Sequence, residues 1–179
     1  MRIERGTAAT PLAALCAAAL ALAAGAAPAQ EAKRVGGSGA WDAYQAGSGK
    51  KRVCFVHGAP KESRGKYKRR GKTYLQVTHR PGEKVRHVAS ITAGYIYKKD
   101  SRVDVTIDKR KYSLFTHGDT AWAEDGKTDR AIVRALIRGR KMTVKGRSTR
   151  NTLTTDTYSL NGFTAAYKAA SKACKVKPL

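Results

Sequence analysis

Val103, Val105 and Ile107 alternate with Asp104 and Thr106, so one side of this stretch is apolar and the other wet. A period of two is the pattern of a half-buried strand. Asp108-Lys109-Arg110 connects it to Tyr112-Ser113-Leu114-Phe115-Thr116, the second arm of a hairpin. Similar short runs recur along the chain. Val53 to His57 is one, and Tyr74 to His79, ended by Pro81-Gly82, is another. Val85 to Tyr97 reads as extended with a bend at Gly94. Ala121-Trp122-Ala123 follows the Gly118-Asp119 turn. Met142 and Val144 alternate with Thr143 and Lys145, and Thr152 to Leu160 is Thr-rich and extended.

Two segments change period. Ile132, Val133, Leu136 and Ile137 form a helical stripe that Thr128 or Asp129 can cap and Gly139 ends. Phe163, Ala166, Tyr167, Ala170 and Cys174 share one face of a second, C-terminal helix, with Asn161 or Ser159 as its cap. Strands outnumber helices and turns are frequent. The pattern predicts a mainly β domain, a β-sandwich with two short helices, over residues 41–179. The polar, Gly-rich residues 30–40 read as a loose N-terminal tail, and Gly58 to Gly71 as a polar loop.

The first 29 residues follow a different logic. A cationic start, Met1-Arg2-Ile3-Glu4-Arg5, precedes a Leu/Ala run from Leu12 to Ala24. Ala27-Pro28-Ala29 then offers a small-x-small cleavage site. This is the pattern of a secretory signal peptide. The apolar run is too short for a membrane-spanning helix, which needs roughly 20 residues. Leu15 before Cys16 is wrong for lipoprotein anchoring, and no twin-arginine pair is present. The expected product has no transmembrane segment and works in the periplasm or beyond, with outer-membrane association open.

Export changes the meaning of the cysteines. Cys54 and Cys174 alone survive cleavage, and an oxidising compartment favours one disulfide between them. Zinc spacing is absent, and no C-x-x-C suggests redox chemistry. Cys174 lies on the inward stripe of its helix, where it can meet Cys54 from a core strand.

The net charge of the whole chain is +23, and cleavage lowers it by only one. Such an excess attracts anionic partners: lipid, lipopolysaccharide, polysaccharide or nucleic acid. The densest run is Lys66, Lys68, Arg69, Arg70 and Lys72, with Tyr67 inside it. Arg138, Arg140, Lys141, Lys145, Arg147 and Arg150 form a second cluster. Interleaved Tyr suits nucleic acid, but an exported protein meets little of it. Lipid or lipopolysaccharide is the better expectation, and a merely solvated surface is the bland one.

Catalytic signatures are missing. No G-x-S-x-G elbow appears, and paired carboxylates are scarce. His57, His79, His87 and His117 show no helical metal spacing, although His79 and His87 can approach across a turn. The expectation is no cofactor, no metal and no enzyme. A small periplasmic hydrolase and a basic nucleic-acid-binding protein stand as the alternatives.

One ordered set of motifs goes further. It comprises Thr78-His79-Arg80-Pro81, Ala93-Gly94-Tyr95, Leu114-Phe115-Thr116 with Ala121-Trp122, and Val144-Lys145-Gly146. It ends with Thr154-Thr155-Asp156-Thr157-Tyr158-Ser159-Leu160-x-Gly162-Phe163, running on to Cys174. From about Trp41 to Cys174 the chain resembles the invasion-associated locus B family of bacterial exported proteins. The resemblance implies an immunoglobulin-like β-sandwich in a Gram-negative envelope. In some members it implies a link to host-cell entry, with a host-cell surface as partner. It supplies no catalytic residues. The chain departs from the family pattern at Lys109, at Arg86-His87-Val88 and in its unusually basic Lys66–Lys72 loop.

Cleavage is expected between Ala29 and Gln30. N-terminal sequencing of the exported protein checks it, and a start at Met1 or Arg2 would end the secretion reading.

Overall fold

The computed structural model describes residues 31–179, so the expected signal peptide lies outside the described residues. Eleven strands form one antiparallel sheet. They are β1 (Lys33–Ser38), β2 (Trp41–Ala46), β3 (Val53–Gly58), β4 (Glu62–Gly65), β5 (Tyr74–Arg80) and β6 (Val85–Thr92). Then follow β7 (Arg102–Ile107), β8 (Arg110–His117), β9 (Thr120–Trp122), β10 (Lys141–Arg147) and β11 (Leu153–Ser159). Helix α1 (Gly126–Arg138) and helix α2 (Phe163–Ala173) complete the described chain. The strand order is β1-β2-β3-β5-β6-β9-β8-β7-β10-β11-β4.

The predicted hairpin is β7 and β8, with Val103 opposite Leu114 and Ile107 opposite Arg110. Along β7 the burial alternates as the residue types do: Val103, Val105 and Ile107 are buried between exposed or half-exposed neighbours. Apolar faces from both ends of the strand order meet in one core. Trp41 of β2 is fully buried, stacks on Tyr158 of β11, and donates its indole N–H to the Ser159 carbonyl at 2.9 Å. Strands far apart in the sheet are thus in contact, so the sheet curls back over its own core.

Several expectations need correction. The supposed loose tail contains β1, paired with β2 along most of its length. Its glycines mark close approach: a Cβ on Gly36 would stand 2.7 Å from that of Ala169 in α2. The Gly58–Gly71 loop contains the short edge strand β4, paired with β11. The cap of α1 is Asp125, which accepts the Thr128 N–H at 2.7 Å. Asp129 is instead buried, and its carboxylate accepts the Ala89 N–H of β6 at 2.9 Å. Neither Asn161 nor Ser159 caps α2. That position belongs to Gly162 in a left-handed conformation, with no side-chain bond.

Helix α2 buries Phe163, Ala166, Tyr167 and Ala170 against β1, β2 and β3, and Cys174, the buried residue just past its end, continues the predicted stripe. Cys54 and Cys174 form a disulfide with Cα atoms 5.8 Å apart. It closes a loop spanning 120 positions. In the chain-entropy treatment such a loop contributes about 4–5 kcal/mol as an upper figure.

His79 lies beside this bond, directly across from Cys54 on the neighbouring strand. Its Nδ1 accepts the His87 N–H at 3.1 Å, so its proton sits on Nε2, 3.2 Å from Ser171 Oγ. The Leu179 N–H donates to the Tyr167 hydroxyl, which shares a 2.8 Å hydrogen bond with His87 Nδ1. The two histidines do approach, ring to ring at 4.9 Å. Their inward nitrogens are spent on these bonds. Among the described residues no group of three or more His, Cys, Asp or Glu could hold a metal.

Burial first, with smaller electrostatic contributions from the neighbouring His87 and Arg86, pushes His79 down to about 4. A depressed histidine contributes stability above its unfolded pKa of about 6.5, lost as pH falls through the folded value. Asp129, pushed up to about 6 chiefly by burial, works in the opposite sense over the same range. The clean readout is therefore a difference. His79→Gln should cost less at pH 4.5 than at pH 7, by about 2 kcal/mol. Denaturant unfolding at both pH values measures this, and a pH-independent cost contradicts it.

Candidate functional site

Arg70 organises the basic loop. Its guanidinium forms a bidentate pair with Asp156 of β11, both bonds 2.6 Å long. Nε donates to the Ala93 carbonyl at 2.6 Å, and Nη2 also reaches Thr73 Oγ1. The two side chains are only 5% and 3% exposed. The Tyr67 and Tyr95 rings lie 5.6 and 5.1 Å from the guanidinium carbon. Burial works to lower the Arg70 pKa, but the bonds and charge of Asp156 more than offset it, and the group stays firmly cationic. Arg70 therefore leaves the expected anion-binding set. It is a buried structural cation whose charge is already answered.

The other loop residues separate cleanly. Lys66, Lys68 and Arg69 are exposed and line a groove of about 710 Å³. Lys72 is exposed but lies outside that groove. It sits near His57, whose pKa is lowered by burial first and by Lys72 as a smaller contribution.

Two further segments complete the groove. The first is Gly94 to Lys98. Gly94 turns the chain at φ +72° and accepts the Gly71 N–H through its carbonyl at 2.9 Å, an approach that a side chain would block. Tyr95 forms part of the groove wall, its hydroxyl 2.6 Å from Thr154 Oγ1. Burial raises its pKa. The second is the β10–β11 turn, Ser148 to Thr152. Ser148 Oγ accepts the Thr152 N–H, Arg147 Nη1 holds the Asn151 carbonyl at 2.9 Å, and Asn151 is left-handed. The turn is tied to the first segment: Thr149 N–H donates to the Ile96 carbonyl at 3.0 Å.

The second basic cluster is split by this geometry. Arg150 lines the groove with the loop lysines. Arg147 lines a shallower concavity next to it, which shares Lys66 and Thr152 with the first. Arg138, Arg140 and Lys141 stand at the far end of β10, some seven residues or about 20 Å away. No acidic side chain lines either concavity.

The cations of the site are legible in the sequence, Arg147 and Arg150 as well as the basic loop, and Tyr95 stands in one of the family motifs. Ile96 and the hydroxyls of the Ser148–Thr152 turn carry no signal of their own. Asp156 did leave one. In β11, Thr154, Asp156 and Tyr158 share the inward parity, and a carboxylate at such a position demands a buried cation.

Residues 41–171 match the family model described as Invasion associated locus B (IalB) protein. No curated protein and no solved structure matches the chain. The chain belongs to the invasion-associated locus B family.

Removing one member of the Arg70–Asp156 pair strands the other's charge in the interior. Arg70→Met and Asp156→Asn should each cost about 3–5 kcal/mol, and the double variant Arg70→Met/Asp156→Leu should recover much of that. Denaturant unfolding checks this. Single variants costing under about 1 kcal/mol would mean the pair is solvated.

Proposed function

We propose that this family member is an exported, non-enzymatic envelope protein that holds an anionic partner of the envelope or of a host-cell surface in the groove beside its basic loop. The proposal includes an immunoglobulin-like reading of the curled sheet as a β-sandwich. The observation that carries the binding role is the convergence of Lys66, Lys68, Arg69 and Arg150 on one groove with no carboxylate in its lining. Cations without local counter-charges concentrate field lines and attract anions. The groove is framed by hydrogen-bonded turns, so its cations start close together before a partner arrives.

Support for export is chemical. A disulfide of this span persists where the surroundings are oxidising. Among the described residues no helix is long and apolar enough to cross a membrane. As for chemistry, the groove offers lysines, arginines, hydroxyls and one tyrosine pair, but no carboxylate or histidine to act as a base. That set suits recognition better than turnover.

The triple variant Lys66→Glu/Lys68→Glu/Arg69→Glu should lose most of its retention on lipopolysaccharide or another polyanion. Each exposed site should alter stability by no more than about 0.5 kcal/mol. Lys72→Glu, outside the groove, serves as the control and should bind nearly as the parent does. Retention measured at low and high salt, beside a thermal melt, decides the matter. If the triple variant binds as the parent does and salt has no effect, the basic loop is only a solvated surface.

A further inference from the structure

Large apolar side chains are seldom exposed in this protein. Among the described residues they are Tyr67 at 38%, Ile96 at 56%, Phe115 at 36% and Leu153 at 49% exposure. Three of the four lie at the basic site. Tyr67 and Ile96 line the groove, and Leu153 lines the adjoining concavity. Ile96 is not a loose tip. Its flanking residues Tyr95 and Tyr97 turn toward the core, and its carbonyl holds the Thr149 N–H. Leu153 opens β11 on the outward parity, opposite Arg147 of β10. The backbone therefore fixes both aliphatic side chains in water, among Lys66, Lys68, Arg69, Arg147 and Arg150.

We infer that this face docks on the surface of an anionic lipid bilayer, its cations on the phosphate headgroups and Ile96 and Leu153 in the headgroup–acyl boundary. The inference rests on the anion-binding reading above and adds the apolar half of the partner. Charge complementarity selects an anionic partner, since four exposed cations and the half-buried Arg147 line the two concavities with no carboxylate among them. The aliphatic side chains select among anions. A soluble polysaccharide offers nothing that repays exposing isoleucine and leucine to water. Single-stranded nucleic acid calls for free aromatic faces, and Tyr67 already lies against Arg70. A lipid interface takes both features, with apolar groups entering about 5–10 Å and basic groups adding attraction to anionic headgroups. Attachment of this kind is peripheral.

The test uses the purified exported protein, vesicles of phosphatidylcholine with and without phosphatidylglycerol, and a heparin column as a lipid-free polyanion. The parent should bind the anionic vesicles, and part of that binding should survive 1 M salt, where the Debye length is about 3 Å. Ile96→Ser/Leu153→Ser should weaken vesicle binding by about tenfold or more and leave heparin retention unchanged. Lys66→Glu/Lys68→Glu/Arg69→Glu should weaken both. Ile96→Trp gives an independent reading: its emission should shift to the blue on anionic vesicles and stay put with heparin. If the serine variant binds vesicles as the parent does, or the tryptophan shows no shift, the lipid inference is overturned while the electrostatic reading stands. If the parent binds neither vesicles nor heparin, both fall.

Discussion

Among the described residues, one buried ion pair holds the basic face in place. Arg70 comes from an otherwise exposed loop, and Asp156 from β11, the strand next to the edge strand β4. A buried guanidinium is tolerable only when its donors are satisfied. Here Asp156, the Ala93 carbonyl and Thr73 supply the partners, and two aromatic rings lie close to its carbon. Fixing Arg70 fixes the residues before it. Lys66, Lys68 and Arg69 cannot wander far from the β10–β11 turn, and Tyr67 is held near Gly65 and the start of β11. The same bonds tie the segment after β6 to β11, drawing together parts of the sheet that its ladder does not pair.

At the other end of the core the constraint is covalent. The Cys54–Cys174 bond fastens α2 over β3, and His79 fills the space beside it with both ring nitrogens bonded. The histidine bonds add direction that a disulfide alone lacks: they join β5, β6 and α2 through Ser171 and Tyr167. His87 pays for its place with a left-handed backbone at φ +62°. One end of the molecule is thus locked by a covalent and hydrogen-bonded hub, the other by an ion pair, and the exposed cationic groove hangs from the second.

What the sequence made legible follows the range of the interactions. Period-two runs such as β7 and the stripe of α2 are local patterns, and both were readable. The Cys54–Cys174 pairing was readable too, because only two cysteines remained to pair. β1 was missed because glycine signals looseness locally, whereas Gly36 serves a helix more than a hundred residues away. The cap of α1 was misplaced by a few residues, since Thr128 and Asp129 look like caps and only the packing of β6 claims the Asp129 carboxylate. Arg70 shows the limit most clearly. Within Lys66–Lys72 it is one cation among several, and only Asp156, some 86 positions on, makes it different.

The large net charge takes on a sharper meaning once the carboxylates are followed individually. Asp42, Glu62, Glu83 and Glu124 pair with arginines at the surface. Asp156 is spent on Arg70, Asp125 on a helix cap, Asp129 on a backbone N–H, and Asp108 on the N–H groups of Arg140 and Lys141. Most acids therefore have structural partners, and the surplus of cations is left without local opposition. Such a surplus destabilises a compact chain through self-repulsion, and here a long-range disulfide offsets it. Uniform excess charge explains solubility and general attraction to anions. It does not explain why the exposed Ile96 and Leu153 stand among the cations of the two concavities. That coincidence of charge and apolar surface distinguishes this face from the rest of a basic protein.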